Sequence, residues 1–255
     1  MMNTTTGSKS FFKSSAESAY QARLATTPVE IQCAQALRFE VFNLELNEGL
    51  LESFDAGLDS DTFDAVCAHL IVEHTATGKI IGTYRMQTGL SAQQHLGYYS
   101  EREFDFAPFE PMRTQMLELG RACISADHRN FAVLNLLWKG IASYAETQGT
   151  RYLIGCSSLT SQDKALGAAA YQAMSARWAT NSWQTRPQPG FECIATPSGE
   201  TPKIPRLLSA YLALGASICS PPAIDRAFKT IDFLTMLDVR SPNVVALQKR
   251  GRFTA

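Results

Sequence analysis

Residues 20–26 alternate loosely between apolar and polar side chains, which predicts a first strand. Pro28 then precedes Ile31, Ala34, Leu37, Val41 and Phe42, an apolar stripe at helical spacing that predicts a helix over about residues 29–46. Arg38 falls within that stripe, with Glu45 about two turns on. An unpaired buried charge is costly, so the ordinary outcome is a packed stem with its head in water. Residues 47–65 are polar and acidic. Residues 69–73 and 80–87, joined through Gly78, read as a hairpin. Residues 97–109 read as a mixed aromatic segment with a short helix near Pro108.

Residues 116–124 predict another strand. Leu134, Trp138, Ile141 and Ala145 mark one face of a helix over 131–147, closed by Gly149. Residues 151–157 follow as a strand. Ser161 and Asp163 are caps for a helix running to about 177. Residues 178–202 read as irregular, 205–214 as a short helix, and 217–219 and 230–239 as the last strands. From Arg240 the chain reads as a polar, basic tail. This order predicts an α/β (α+β) fold: a mixed, mostly antiparallel sheet flanked by helices, with one parallel crossover. It spans residues 20–239, between tails at 1–19 and 240–255.

Composition narrows the function. With 255 residues, 45% hydrophobic and 18% charged, the chain builds a real core and is not a disordered segment. A net charge of -1 excludes a global field for nucleic acid or anionic lipid. Residues 1–15 lack the basic start and apolar run of a signal peptide, and no apolar stretch is long enough to span a membrane. Six cysteines without paired spacing point to reduced, mostly buried thiols and a cytoplasmic location. Peripheral contact with the inner membrane stays open. No metal site is expected, because His69, His74, His95 and His128 lack ligand spacing.

Four constellations carry chemistry. Glu118 and Arg121 share a strand on which they face opposite sides unless it is bulged or splayed, which Gly120 permits. Arg85 lies on the return strand of the hairpin. Asp55, Asp59, Asp61 and Asp64 crowd the acidic segment before Cys67 and His69. The strand–loop–helix at 118–137 offers a helix N-terminus, an anion site, after His128, Arg129, Asn130 and Phe131. Cys123 and Cys156 have no suggestively placed histidine, so packing is their expected role.

Together these motifs resemble a known family. "RFEVF" at 38–42, "DSDTFDAVCAHLIV" at 59–72, "GTYRMQ" at 82–87 and "ELGRACI" at 118–124 stand in order. "LLWKGIASY" at 136–144, "GCSSL" at 155–159 and the segment 204–239 follow. The chain is similar to the ornithine-acyl-carrier-protein N-acyltransferases, often labelled hemolysin-like, of the GNAT superfamily. The acyl-homoserine lactone synthases are a more distant likeness, from which the chain departs in lacking their tryptophan after the first helix.

The resemblance implies a GNAT-type sheet splayed at its central strands. It implies transfer of a long 3-hydroxyacyl chain from acyl carrier protein to the α-amine of ornithine, yielding lyso-ornithine lipid. It implies no permanently bound cofactor, the carrier's phosphopantetheine thioester being a substrate. Glu118, Asp61, Asp64 and Arg121 are then the catalytic candidates. Arg38, Phe42 and Arg85 hold the amino acid, and Ile124, Arg129, Asn130 and Phe131 meet the pantetheine arm. The loop at 128–133 lacks the glycines of an ordinary acetyl-CoA site and suits a donor with one phosphate. An acidic carrier would dock on a basic patch drawn from Arg129, Lys139, Lys203, Arg206, Arg226 and Lys229. A lactone-type signal synthase, an acetyl-CoA acetyltransferase and a non-catalytic acyl-binding module are the rival readings.

Overall fold

The computed structural model describes residues 19–199 and 202–249, so the N-terminal tail through residue 18 and the last six residues lie outside it. Strand β1 (Tyr20–Leu24) leads into helix α1 (Pro28–Phe39). A capping box starts α1: Thr27 accepts from the Glu30 amide, and the Glu30 carboxylate reaches back to the cap, with Pro28 at the first turn. The sequence predicted one helix to residue 46. Instead α1 widens into a π-helical turn, Glu40–Glu45, in which Leu46 N donates to Val41 O. A short α2 (Ser53–Ala56) and a 3-10 turn, Thr62–Ala65, break up the acidic segment.

The hairpin forms as β2 (Ala68–His74) and β3 (Lys79–Thr88), followed by α3 (Gly89–Gln94), which sequence reading missed. Two 3-10 stretches, Tyr99–Arg102 and Ala107–Gln115, occupy the aromatic segment. Next come β4 (Met116–Ile124), α4 (Phe131–Thr147), β5 (Tyr152–Leu159), α5 (Lys164–Ala173) and α6 (Arg206–Leu214). The chain then adds β6 (Ser217–Ile218), β7 (Ala223–Asp225), β8 (Thr230–Asp238) and α7 (Pro242–Lys249). α7 lies where a tail was expected. Its Val244 is buried in the core, which the polar surroundings in sequence had concealed.

The strands form one sheet in the order β1-β2-β3-β4-β5-β8-β6, with β7 also paired to β8. Every pairing is antiparallel except β4 with β5, joined through α4. Alternation along β2 sorts its side chains between two helices. Leu70 and Val72 pack with Leu137 and Ile141 of α4, and Ile71 packs with Ala34 and Leu37 of α1.

β4 and β5 pair only from Met116–Tyr152 to Glu118–Ile154, then part. A side chain at Gly155 would put its Cβ 2.2 Å from the Leu119 carbonyl oxygen, so glycine lets the two backbones meet where they branch. β4 is also bulged against β3. Thr83 faces Cys123 while Arg85 faces Gly120, leaving one extra residue on β4. The left-handed conformation falls on Arg121 (φ 50°), not on Gly120. A bulge there was the condition for Glu118 and Arg121 to serve one site.

Candidate active site

The parting of β4 from β5 opens a cavity of about 540 Å³. One part of its wall is apolar: Val41, Phe42, Leu134, Leu137, Leu208 and Phe228. The other part is polar: Glu48, Gln87, Glu118, Arg121, Asp225 and Asp232. The π-helical turn delivers Val41 and Phe42, α4 delivers Leu134 and Leu137, and α6 delivers Leu208. Every strand from β3 to β5, with β7 and β8, supplies polar groups.

Beside the cavity, three arginines and three aspartates alternate in a closed ring. Arg38 contacts Asp59 (3.0 Å) and Asp64 (2.8 Å), Arg85 contacts Asp64 (3.1 Å) and Asp61 (2.6 Å), and Arg121 contacts Asp61 (3.3 Å) and Asp59 (3.1 Å). Arg38 is 0% exposed, so its head does not snorkel. It also donates to the Asp59 carbonyl, and Gln35 donates to Asp64. Burial alone would raise Asp64, but Arg38 and Arg85 outweigh it and hold its carboxyl well below the usual range. Arg85 lies over Phe63 and Tyr99, and Arg121 over Tyr99 and Phe228, so the guanidinium faces meet aromatic rings while their edges meet carboxylates. Arg85 and Arg121 line the cavity; Arg38 lies behind them.

Glu118 is buried at the branch point. Its carboxylate accepts from Tyr99 N (2.8 Å) on one oxygen, and from Ser100 N (2.8 Å) and Ser100 Oγ (2.6 Å) on the other. That leaves a lone pair of Oε2 free for a further donor. Burial raises its pKa, against the lowering effect of those hydrogen bonds. Gln87, its cross-strand neighbour, is buried on the cavity wall with neither amide nitrogen nor oxygen hydrogen-bonded.

A second acidic group was not foreseen. Glu103, Cys156 and Asp232 bring their side-chain heteroatoms within 4.8 Å of one another, and Glu48 and Asp225 lie on the same side of the cavity. Burial, then Asp232 and Asp225, push Glu103 well up; burial also raises Asp232 and Glu48. The Cys156 thiol is driven well above its ordinary value by burial and then by Glu103 and Asp232. A thiol so held is a poor nucleophile. The one hint in sequence was an acid at position 232 between Ile231 and Phe233, inside a strand of mostly apolar residues. Contributions from β5, β7, β8 and the Tyr99–Arg102 region share no local pattern.

At the start of α4, Asn130 caps the helix by accepting from Val133 N (3.1 Å), and Phe131 is 72% exposed. Arg129 lines the cavity, donates to Ile124 O (2.9 Å) and forks onto Glu45 of the π-helical turn. Of the other expected basic residues, Arg206 lines the cavity and Arg226 donates to Gly190 O (2.8 Å). All six cysteines are free thiols. Among the described residues no helix is long and apolar enough to cross a membrane.

Residues 37–139 match the family model described as an acetyltransferase (GNAT) domain. The L-ornithine N(alpha)-acyltransferase of Brucella abortus (strain 2308) is 32% identical over 86% of this chain and 84% of its own length. The protein of the same name from Agrobacterium fabrum is 31% identical over 87% of this chain and 81% of its own. Among solved structures, FeeM, an N-acyl amino acid synthase from uncultured soil microbes, superposes with a TM-score of 0.53 at 12% identity, covering 89% and 93% of the two chains. The acyl-homoserine lactone synthase BjaI superposes with a TM-score of 0.51 at 14% identity, covering 88% and 82%. At those identities the two structures speak for the fold alone.

Proposed function

Because the chain belongs to the family of the L-ornithine N(alpha)-acyltransferases, and so is an acyltransferase, we propose that it joins a long 3-hydroxyacyl chain from acyl carrier protein to the α-amine of ornithine. The product is the lyso form of an ornithine lipid. The observation that carries this reading is one cavity that joins an apolar wall to a buried carboxylate, Glu118, at the strand branch.

The neutral amine nitrogen attacks the thioester carbonyl, forming a tetrahedral oxyanion. Collapse breaks the C–S bond and leaves an amide and a thiolate. Glu118, through Oε2 directly or through water, takes the amine proton and returns it to the thiolate. Its raised pKa suits that work better than Asp64, which two guanidinium groups hold ionised and weakly basic. Asp61 and Asp64 act instead by fixing Arg85 and Arg121, which face the cavity and hold the α-carboxylate of the amino acid. Backbone N–H groups on the unpaired edge of β4 past Glu118 receive the oxyanion. Cys156 and Cys123, both raised by burial, form no acyl-enzyme.

The carrier's single phosphate meets the first amides of α4, beyond Asn130, with Arg129 and Phe131 at the mouth. Mass spectrometry of lipid extracts from a host expressing the protein tests the reading. An N-acyl amino acid is expected with the wild type, falling by roughly 10²–10⁴-fold in rate with Glu118→Gln. Soluble wild-type protein that yields no acylated amine from supplied acyl donors would remove it.

A further inference from the structure

We infer that the carboxylates grouped around Asp232 are the receptor for a side-chain ammonium, so that this wall of the cavity selects amino acids with a cationic side chain. The inference rests on the acyl transfer proposed above and assigns its specificity. Asp232, 4% exposed, lines the cavity, and its Oδ1 accepts no hydrogen bond from the protein. Glu48 and Asp225 share that wall, and Glu103 lies against Asp232 and Cys156.

Among the described residues none of these four carboxylates forms an ion pair. Arg121 is close enough to lower Glu103 but forms no ion pair with it; its contacts are with Asp59 and Asp61. Glu48 accepts from Thr160, and one Asp225 oxygen accepts from the Ala227 and Phe228 amides, which orients both carboxylates. Glu103 and Asp232 hydrogen-bond to each other, but carboxylates buried together without a cation persist only at a cost. A ligand that brings its own positive charge and N–H donors removes that cost and satisfies the orphan oxygen.

The rest of the cavity fixes which end of the ligand arrives here. Arg85 and Arg121 offer positive charge for an α-carboxylate, and Glu118 marks the reacting amine. Asp225 and Asp232 come from β7 and β8, strands that contribute nothing to the ring, so a side chain leading from the α-carbon toward them ends among carboxylates. A methyl-terminated side chain of the same length would leave them unpaired. A divalent metal at Glu103, Cys156 and Asp232 is the competing occupant.

The experiment presents the full-length protein with an equimolar mixture of L-ornithine and L-norvaline, which differ by the side-chain amine, together with 3-hydroxyacyl carrier protein. Products are quantified by mass spectrometry. Wild type is expected to favour ornithine by on the order of tenfold to hundredfold, the span that loss of a charge-assisted hydrogen bond commands. Asp232→Asn and Glu48→Gln are each expected to shrink that ratio, which a merely structural role would leave in place. Equal use of both amino acids by the wild type overturns the inference and leaves the acyl transfer standing. A preference kept by every folded variant also overturns it, as does a stoichiometric metal ion held by the wild type and lost in Asp232→Asn. If neither variant folds, the wild-type ratio decides alone. No acylation of either amino acid removes the proposed reaction itself.

Discussion

Around Arg38, three guanidinium groups and three carboxylates alternate until every charge faces its opposite. Around Asp232, carboxylates gather at similar depth without a cation of their own. The first group is neutral and tied to α1, the acidic segment, β3 and β4; Arg38 is its scaffold behind the site, while Arg85 and Arg121 also line the cavity. The second is unfinished without a ligand. Burial alone therefore does not mark the groups that meet substrate. A place on the cavity wall does, which Arg85, Arg121 and Asp232 have and Arg38 has not.

The sharpest way to break that comparison is to open the ring. Arg38→Ala leaves Asp59 and Asp64 buried and unpaired, and is expected to cost about 3–5 kcal/mol of unfolding free energy in urea titration. A cost near zero would mean that the ring is ornamental. Gly155→Ala drives a Cβ into the Leu119 carbonyl at the strand branch. A loss of roughly 1–3 kcal/mol is expected, with the β4–β5 pairing as the part disturbed.

The two groups also respond oppositely to pH. Asp64 has a folded pKa below its ordinary 3.8, so the unfolded chain binds the proton more tightly. Its contribution is present above about pH 4 and is lost as pH falls below that. Asp232, Glu103 and Glu48 have folded values above the ordinary range. The folded chain binds those protons more tightly, so their contribution is lost as pH rises through and beyond about 4 toward the folded values.

The thermal midpoint is therefore expected to be highest in mild acid and to decline toward neutrality. Asp232→Asn should flatten that decline and raise stability near neutral pH, the smallest of these effects. A variant that parallels the wild type across the range would show Asp232 to be already compensated.

Much of the frame was legible because it is periodic. β4 and α4 have the bounds read from sequence: α4 buries one face at helical spacing, and β4 opens with four consecutive buried residues. α7 and β7 were missed for physical reasons. Three residues of β7 beyond two prolines carry no period, and α7 anchors itself by Val244 on a core the sequence does not display. At the site, "RFEVF", "DSDTFDAVCAHLIV", "GTYRMQ" and "ELGRACI" carried the ring, apart from the assignment of Asp59, which was read only as one of several acids. Gln87 sat in a quoted motif without a role. The carboxylates around Asp232 come from segments far apart in the chain, and only folding brings them to one wall.

The most direct test of the central claim uses purified protein, a long-chain 3-hydroxyacyl carrier protein and ornithine carrying ¹⁵N at the α-amine alone. Fragmentation of the product locates the amide. The account predicts one acyl chain on the labelled nitrogen, and its loss with Glu118→Gln. An amide on the side-chain nitrogen, or none at all, would contradict it.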